Sequence, residues 1–541
     1  MFLAETSKGG VKRLPSRFLR CCLFSRSEVE LPKLPVPILQ HTMVRYREAL
    51  KPILTAAQFE TSCTLIKAFE AENGPGPRIQ KALLDRREQF DNWAYDWWLH
   101  DMYLNNQICL PVNSNPGMVF PPEYFSQLSD MANYAAAFVG QMAAQSPRMR
   151  CKATLLFSIS GADNEENLNL IEECVMVVCF DMEVLGEQFN SRSNISRSKY
   201  KAGNRDETNM MHQMLHGGGF ETNSGNRWFD KTIQIVVGMD GVCGLCYEHS
   251  PSEAVSLLQV VEDILEKCRS VEVNCSPVPK QHSDKCLSRV VEDLDFCVMR
   301  FDGYGKNFIK QNSVSPDVYV QLALQMTYHR LHGRLVATYE SASTRRFALG
   351  RVDCIRSATS EALEWASAMN LGEVIDEVEP NISDPLQAVK KQTEVMIENI
   401  LGDGIDVHLL GLREQAKLMK EPTDLFLDEG YKLRTILLCQ PIATRTDTFM
   451  GYGPVVPDGY GASYNPRSES IVFCLSAFRS SQITDSSHFA NALQESLLLM
   501  QQLLTHANLN LLPLPSFKKI MTTVFGGDAM RATREHTTPK I

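Results

Sequence analysis

His249 is the first residue whose type and setting suggest chemistry. It follows Ile233-Gln234-Ile235-Val236-Val237, Asp240-Gly241 and Val242–Tyr247, a text that reads as strand, turn and strand. A helix is expected from about Pro251 to Lys267, and Glu253 lies four residues beyond the histidine. An imidazole can exchange a proton near neutrality, and a carboxylate one turn away would orient it. Such a histidine serves either as a general base or as a satisfied structural group, and the spacing leaves both open. Lys306 and Lys310 form a second candidate. One helical turn apart, they make either a solvated face or a phosphate-binding pair. They precede Ser315-Pro316-Asp317, a helix start with a hydroxyl N-cap, Pro at the first helical position and an acid in the first turn. His216-Gly217-Gly218-Gly219 fits neither Gly-rich phosphate-loop pattern and is expected to form a tight turn.

The surrounding text supplies elements to hold these groups. Helical periodicity runs through 42–72 and 78–100, split by Asn73-Gly74-Pro75-Gly76-Pro77. Trp93, Trp97 and Trp98 lie in the second stretch, with Tyr103 just beyond; Trp93 and Trp97 form a core stripe. Leu287–Met299 fits helix and strand equally, while Val320, Leu324, Tyr328, Leu331 and Leu335 share one helical face. Strands are expected at Thr435–Leu438 and Ser470–Leu475, and a closing helix at 487–504. Alternating strands and helices point to an α/β fold.

Composition narrows the class. The 541 residues carry 54 Lys+Arg and 64 Asp+Glu, a net charge of −10, with 44% apolar residues, which excludes a disordered or fibrous chain. No basic stripe marks a nucleic-acid binder, and no apolar run reaches the ~18 residues of a membrane span. The 16 Cys include no zinc-type double CxxC. Apolar-flanked Cys174, Cys179, Cys243 and Cys246 read as reduced thiols of a reducing compartment. Residues 1–30 are basic up to Glu28, with Lys8, Lys12, Arg13, Arg17, Arg20 and Arg26 against Glu5. They read as a disordered leader, with a mitochondrial presequence or acylation at Cys21-Cys22 as the sharper alternatives.

The string from Arg227-Trp228-Phe229-Asp230-Lys231 to Glu248-His249-Ser250-Pro251-Ser252-Glu253-Ala254 resembles a signature of the choline/carnitine O-acyltransferases. Leu31–Pro37 with Thr42 and Tyr46, Phe301–Lys306, Thr338–Ser343 and Tyr452–Gly461 resemble further blocks of that family, in the same order. The resemblance spans roughly 31–145 and 166–510. It implies a two-domain α/β acyl-CoA-dependent acyltransferase fold, mixed sheets covered by helices, with the site in a tunnel between domains. The division would be a leader at 1–30, a base-carrying domain at 31–300, a CoA-binding domain at 301–510 and a tail at 511–541. The implied reaction moves an acetyl group from acetyl-CoA to choline in a ternary complex, without metal or permanently bound cofactor. His249 would take the acceptor's hydroxyl proton and Glu253 would support its ring. Gly305, Lys306, Lys310, Ser315, Asp317, Ser343 and Arg356 would contact CoA; Tyr103, Tyr452, Val352 and Asp353 would contact choline. A quaternary ammonium is best held by aromatic faces, and Val352-Asp353 suits an acceptor that lacks a carboxylate. The same resemblance implies a cytoplasmic, neuronal enzyme, with weak membrane association through the leader.

Two departures stand out. Leu438-Cys439-Gln440 occupies the place of a family Ser-Thr-Ser whose last hydroxyl helps hold the oxyanion, so the Gln440 amide is expected to substitute, ahead of the Cys439 thiol. Between about 146 and 165 a block on the order of a hundred residues is missing, part of a domain. Alternative readings are therefore an impaired relative that binds CoA or a partner, and a carnitine O-acetyltransferase.

Overall fold

The computed structural model describes residues 31–106, 110–145, 153–155, 174, 176–182, 184, 206–219, 222–268, 288–371, 385–421, 423–433 and 435–510. The basic leader with Cys21-Cys22, the Arg148–Lys152 patch, most of 146–165 and the tail lie outside the described residues.

The N-terminal periodicity resolves into four helices: α1 (Leu39–Leu50), α2 (Ala56–Glu70), α3 (Pro75–Gln89) and α4 (Tyr95–Leu99). The single helix expected over 42–72 is broken at Lys51–Thr55, where Thr55 and Gln58 form a capping box that starts α2. Pro75 opens α3, because its missing N–H costs nothing in the first turn. Trp93 is buried, as a core stripe requires, and Trp97 is half-buried.

Twelve described strands form two six-stranded mixed sheets. The first contains β1 (Gly117–Val119), β2 (Ala153–Leu155), β3 (Met176–Asp181), β4 (Ile233–Gly238), β5 (Cys243–Cys246) and β10 (Phe449–Gly451), in the order β10-β1-β5-β4-β3-β2. The second contains β6 (Leu294–Phe301), β7 (Thr338–Ser343), β8 (Val352–Ile355), β9 (Leu437–Pro441), β11 (Tyr460–Pro466) and β12 (Ile471–Phe478), in the order β6-β12-β11-β9-β7-β8. The ambiguous stretch near 287–299 is both things in turn, a short helix at Ser288–Asp293 and then β6.

Helices cover both sheets. Leu128–Gln145 and Ala254–Cys268 bury their apolar stripes on the first, where Met118, Phe138, Ile235, Leu245 and Val261 share one core. Pro316–His332 lies against the second and is buried all round over Val318–Tyr328, not on one face, because further helices cover its outer side. Ser315 is its N-cap, but its hydroxyl makes no capping bond, so Pro316 and Asp317 alone carry the start signal. Gly217, Gly218 and Gly219 have φ of +82°, +86° and +109°, the left-handed turn expected there. The nine cysteines whose side chains are described are unbridged, eight of them buried.

Sequence order and packing diverge at the seam. β10, from the C-terminal half, completes the first sheet by antiparallel pairing with β1, Met118 opposite Met450. The N-terminal helices α1–α4 bury Met43, Tyr46, Leu83 and Trp93 with Leu409 and Leu412 of the helix Ile405–Met419. Arg300 of β6 bonds Glu207, the first residue of the helix Glu207–His216, at 2.5 Å and Asp447, in the loop before β10, at 3.4 Å.

Candidate active site

His249 sits in the turn after β5, at the seam. Ser252 N–H donates back to the His249 carbonyl at 3.2 Å, and the helix begins only at Ala254. The four-residue offset to Glu253 is therefore spanned by a turn, and Glu253 immediately precedes the helix. Glu253 Oε2 lies 3.6 Å from His249 Nε2, an ion-pair distance, with the two side chains 7% and 13% exposed. The Tyr103 hydroxyl is 2.6 Å from His249 Nδ1, and the two rings stack with centroids 5.8 Å apart.

Arg351 completes the cluster. Its Nε donates to Glu253 Oε1 at 2.5 Å, Nη1 to the Ser250 carbonyl at 2.7 Å and Nη2 to the His249 carbonyl at 3.0 Å. Trp98 covers the guanidinium, 4.7 Å from its ring centroid, and also packs edge-on to Tyr103. Burial lowers the His249 pKa from its ordinary 6.5, with Arg351 in the same direction; Glu253 and Glu248 oppose. The imidazole is therefore neutral at pH 7. In the tautomer that keeps Nε2–H towards Glu253, Nδ1 holds the lone pair and accepts from the Tyr103 hydroxyl. Burial and Glu253 raise the phenol's pKa, so Tyr103 stays protonated.

The other expected residues divide between two ends of the second sheet. β6 and β7 both run parallel to β9 and β11, directly or across the antiparallel β12, so Lys306, Lys310, Ser315 and Ser343 lie towards the same end of the sheet, with three strands between β6 and β7. Lys310 is exposed and acts on Asp317, whose carboxyl burial raises and Lys310 lowers. Gly305 is required by packing. A Cβ there would stand 2.4 Å from the Arg467 carbonyl and 2.5 Å from Ser470 N. β8 runs back antiparallel, so Arg356 is carried to the opposite end, away from the lysines, where it forms a two-pronged pair with Asp406 at 2.9 and 2.8 Å.

At that opposite end lies a cavity of about 250 Å³. Its lining includes Trp98, Tyr339 and Tyr431, the acids Asp101, Asp353 and Asp406, and the cations Arg356 and Arg413. Both cations are engaged, Arg356 by Asp406 and Arg413 by Asp101. Asp353 Oδ1 accepts from Cys354 N at 2.8 Å and Val407 N at 3.1 Å, which caps the helix Ile405–Met419; burial pushes its pKa up to about 7. Val352 is half-buried against the α1–α4 core. Tyr452 is buried in the first sheet's core, its hydroxyl donating to the Leu438 and Ala462 carbonyls, and it does not line the cavity. On β9, Cys439 is fully buried towards Glu340 and the helices, whereas Gln440, next in the strand, takes the other face.

Three contributors escaped the sequence reading: Arg351, Glu248 and Tyr339. Glu248 and Tyr339 belong to blocks that resemble the family, and Arg351 directly precedes Val352-Asp353. Tyr339, half-buried in the lining of the cavity, stands in electrostatic reach of Tyr103 and Glu253.

The chain is an α/β enzyme in which a buried imidazole and carboxylate meet at the seam of two mixed sheets. The chain belongs to the choline/carnitine O-acyltransferase family, whose profile matches residues 34–152 and 151–495. It is 39% identical over 633 residues to the choline O-acetyltransferase of Drosophila melanogaster, covering 88% of this chain and 88% of that protein. Against the Homo sapiens choline O-acetyltransferase the identity is 35%, over 88% of this chain and 80% of that protein. The carnitine O-acetyltransferase of Columba livia is 33% identical, over 90% and 95% respectively.

Proposed function

We propose that the chain transfers the acetyl group of acetyl-CoA to choline, with His249 as general base in a ternary complex. The observation that carries this is His249 held between Glu253 and the Tyr103 hydroxyl. The acceptor's hydroxyl takes the Tyr103 position at Nδ1, gives its proton to the imidazole and attacks the thioester carbonyl. Glu253 then stabilises the imidazolium, and the proton passes to the leaving CoA thiol. Gln440 is the proposed oxyanion donor, replacing a hydroxyl.

The cavity supports choline over carnitine. Its aromatic faces suit a quaternary ammonium, while Arg356 and Arg413 are paired with Asp406 and Asp101 and leave little for a carnitine carboxylate. Lys306, Lys310, Ser315, Asp317 and Ser343, with Gly305, are the proposed CoA contacts. They sit at the other end of the sheet from the cavity, so the two substrates would approach His249 from opposite sides. Arg356 belongs in this reading with the acceptor cavity. No helix among the described residues is long and apolar enough to cross a membrane; a cytoplasmic, neuronal site of action is part of the proposal.

A second reading, an impaired relative that still binds CoA, draws on the shortened region. The two profile matches abut at 151–152, and 88% of this chain is about 476 residues against 633 aligned with the Drosophila protein. The test is thiol release from acetyl-CoA with choline or carnitine, using His249→Ala as the blank. Choline-dependent release lost in His249→Ala supports the proposal. CoA binding without release supports the second reading, and carnitine-dependent release overturns the choice of acceptor.

A further inference from the structure

Glu248, the residue before the base, is 7% exposed and takes no part in the mechanism above. Its Oε2 accepts from the Ser114 hydroxyl at 2.6 Å and from Asn115 Nδ2 at 2.8 Å, and its Oε1 accepts from Ser250 N at 3.1 Å. One carboxylate thus joins the turn that carries His249 to the loop Leu110–Asn115. The join is doubled by backbone, since His249 N donates to the Ser114 carbonyl at 2.9 Å. Asn115, fully buried, also donates to the Phe229 carbonyl at 2.9 Å.

That loop is held out of its relaxed conformation. Val112 has φ +69° and ψ −40°, a region that a β-branched residue enters only when its surroundings enforce it. On the far side, the Val112 carbonyl accepts from Gly453 N at 3.3 Å, and a Cβ on Gly453 would stand 2.4 Å from Val112 Cγ1. Gly453 follows Tyr452, whose hydroxyl is bound to the Leu438 carbonyl of the strand that carries Gln440. The loop therefore sits between the base and the segment that leads to the oxyanion donor.

We propose that Glu248 is a positioning residue for the base: by clamping Leu110–Asn115 to the His249 turn, it fixes the imidazole in register with the Gly453 segment. The inference rests on the reading of His249 as base. A neutral amide cannot replace the carboxylate, because its NH₂ would face donors on one side of the clamp. The charge also matters electrostatically. The groups facing His249 are Glu253, Arg351, Tyr103, Tyr247 and Glu248, and Glu248 is one of the two that favour the protonated ring.

The test compares wild type, Glu248→Gln and the milder Ser114→Ala in two measurements. The first is kcat and KM for choline and acetyl-CoA. The second is the His249 titration by NMR, its resonance assigned by loss in His249→Gln. A misplaced reacting group costs about 10² in rate, so kcat should fall by about that factor in Glu248→Gln and by less in Ser114→Ala. Both KM values should stay within about threefold, the pattern of an interaction used in the transition state, and the His249 midpoint should move to lower pH in Glu248→Gln. A folded Glu248→Gln with wild-type kcat overturns the proposal. So does an unchanged His249 midpoint, in active or inactive protein alike. If wild type itself transfers no acetyl group, the reading of the base fails, and the titration alone decides whether Glu248 governs the imidazole. If Glu248→Gln does not fold, a Ser114→Ala kcat equal to wild type overturns the proposal.

Discussion

The Tyr103 hydroxyl lies 2.6 Å from His249 Nδ1, joining residues 146 positions apart in the chain. In the proposed mechanism it occupies the place of the substrate hydroxyl, and its ring stacks on the imidazole. Tyr103→Phe keeps the aromatic face and vacates that place, so kcat should stay within about tenfold, less than the 10²–10⁴ ascribed to a general base. Tyr103→Ala removes the face as well, and KM for choline should rise. Steady-state kinetics with both variants checks this; a kcat loss of about 10² or more in Tyr103→Phe would show that the hydroxyl itself takes part in the proton transfer.

The His249 pKa lies below 6.5 because burial outweighs Glu253 and Glu248. In the proposed mechanism the neutral form is the base, so kcat/KM should be flat through pH 7 and fall only as pH drops through a value below 6.5. Glu253→Gln removes a group that favours the imidazolium. The acidic limb should then move to still lower pH while kcat falls about 10²-fold for want of support to the charged ring. A pH–rate profile of each protein reads both effects.

Arg351 neutralises Glu253 in a setting where the two side chains are 10% and 7% exposed. Removing one partner of a buried pair costs about 3–5 kcal/mol, since the other charge is left uncompensated. Arg351→Met should lower stability by that order in urea unfolding. Arg351→Met combined with Glu253→Gln should recover most of the stability but not the activity.

Glu340 is buried on β7, accepting from Ser357 at 2.9 Å and Gln392 at 2.8 Å, and burial pushes its pKa up to about 8. A carboxyl raised above its unfolded 4.5 gives stability that is complete below pH 4.5 and is lost as pH rises through 8. Asp353, raised to about 7, acts in the same direction. Glu340→Gln should therefore match wild type near pH 4.5 and exceed it by a few kcal/mol at pH 9. Thermal unfolding at the two pH values measures the difference.

Much of the local architecture was legible in residue order. β4, the Asp240-Gly241 turn and β5 fell where alternation and turn chemistry put them, and Pro316 with Asp317 marked their helix start. His249 and Glu253 were readable as a pair because four residues of chain hold them together in almost any turn or helix. Missed boundaries had local causes too. The capping box of Thr55 and Gln58 divided a periodic stretch, and the helix after Glu253 began three residues late because the 249–252 turn took its first bonds.

Spacing in the chain set which chemistry was on offer, since the types of His249, Glu253, Lys306 and Lys310 and their short separations survive any fold. Only the tertiary structure decided what each group faces. It brought Tyr103 and Arg351 to the imidazole, used Asp353 to cap a helix, turned the Tyr452 hydroxyl to two carbonyls, and sent Arg356 to the far end of the sheet. Strand direction, register and burial settle those contacts, and each depends on elements tens to hundreds of residues away, which no local pattern encodes.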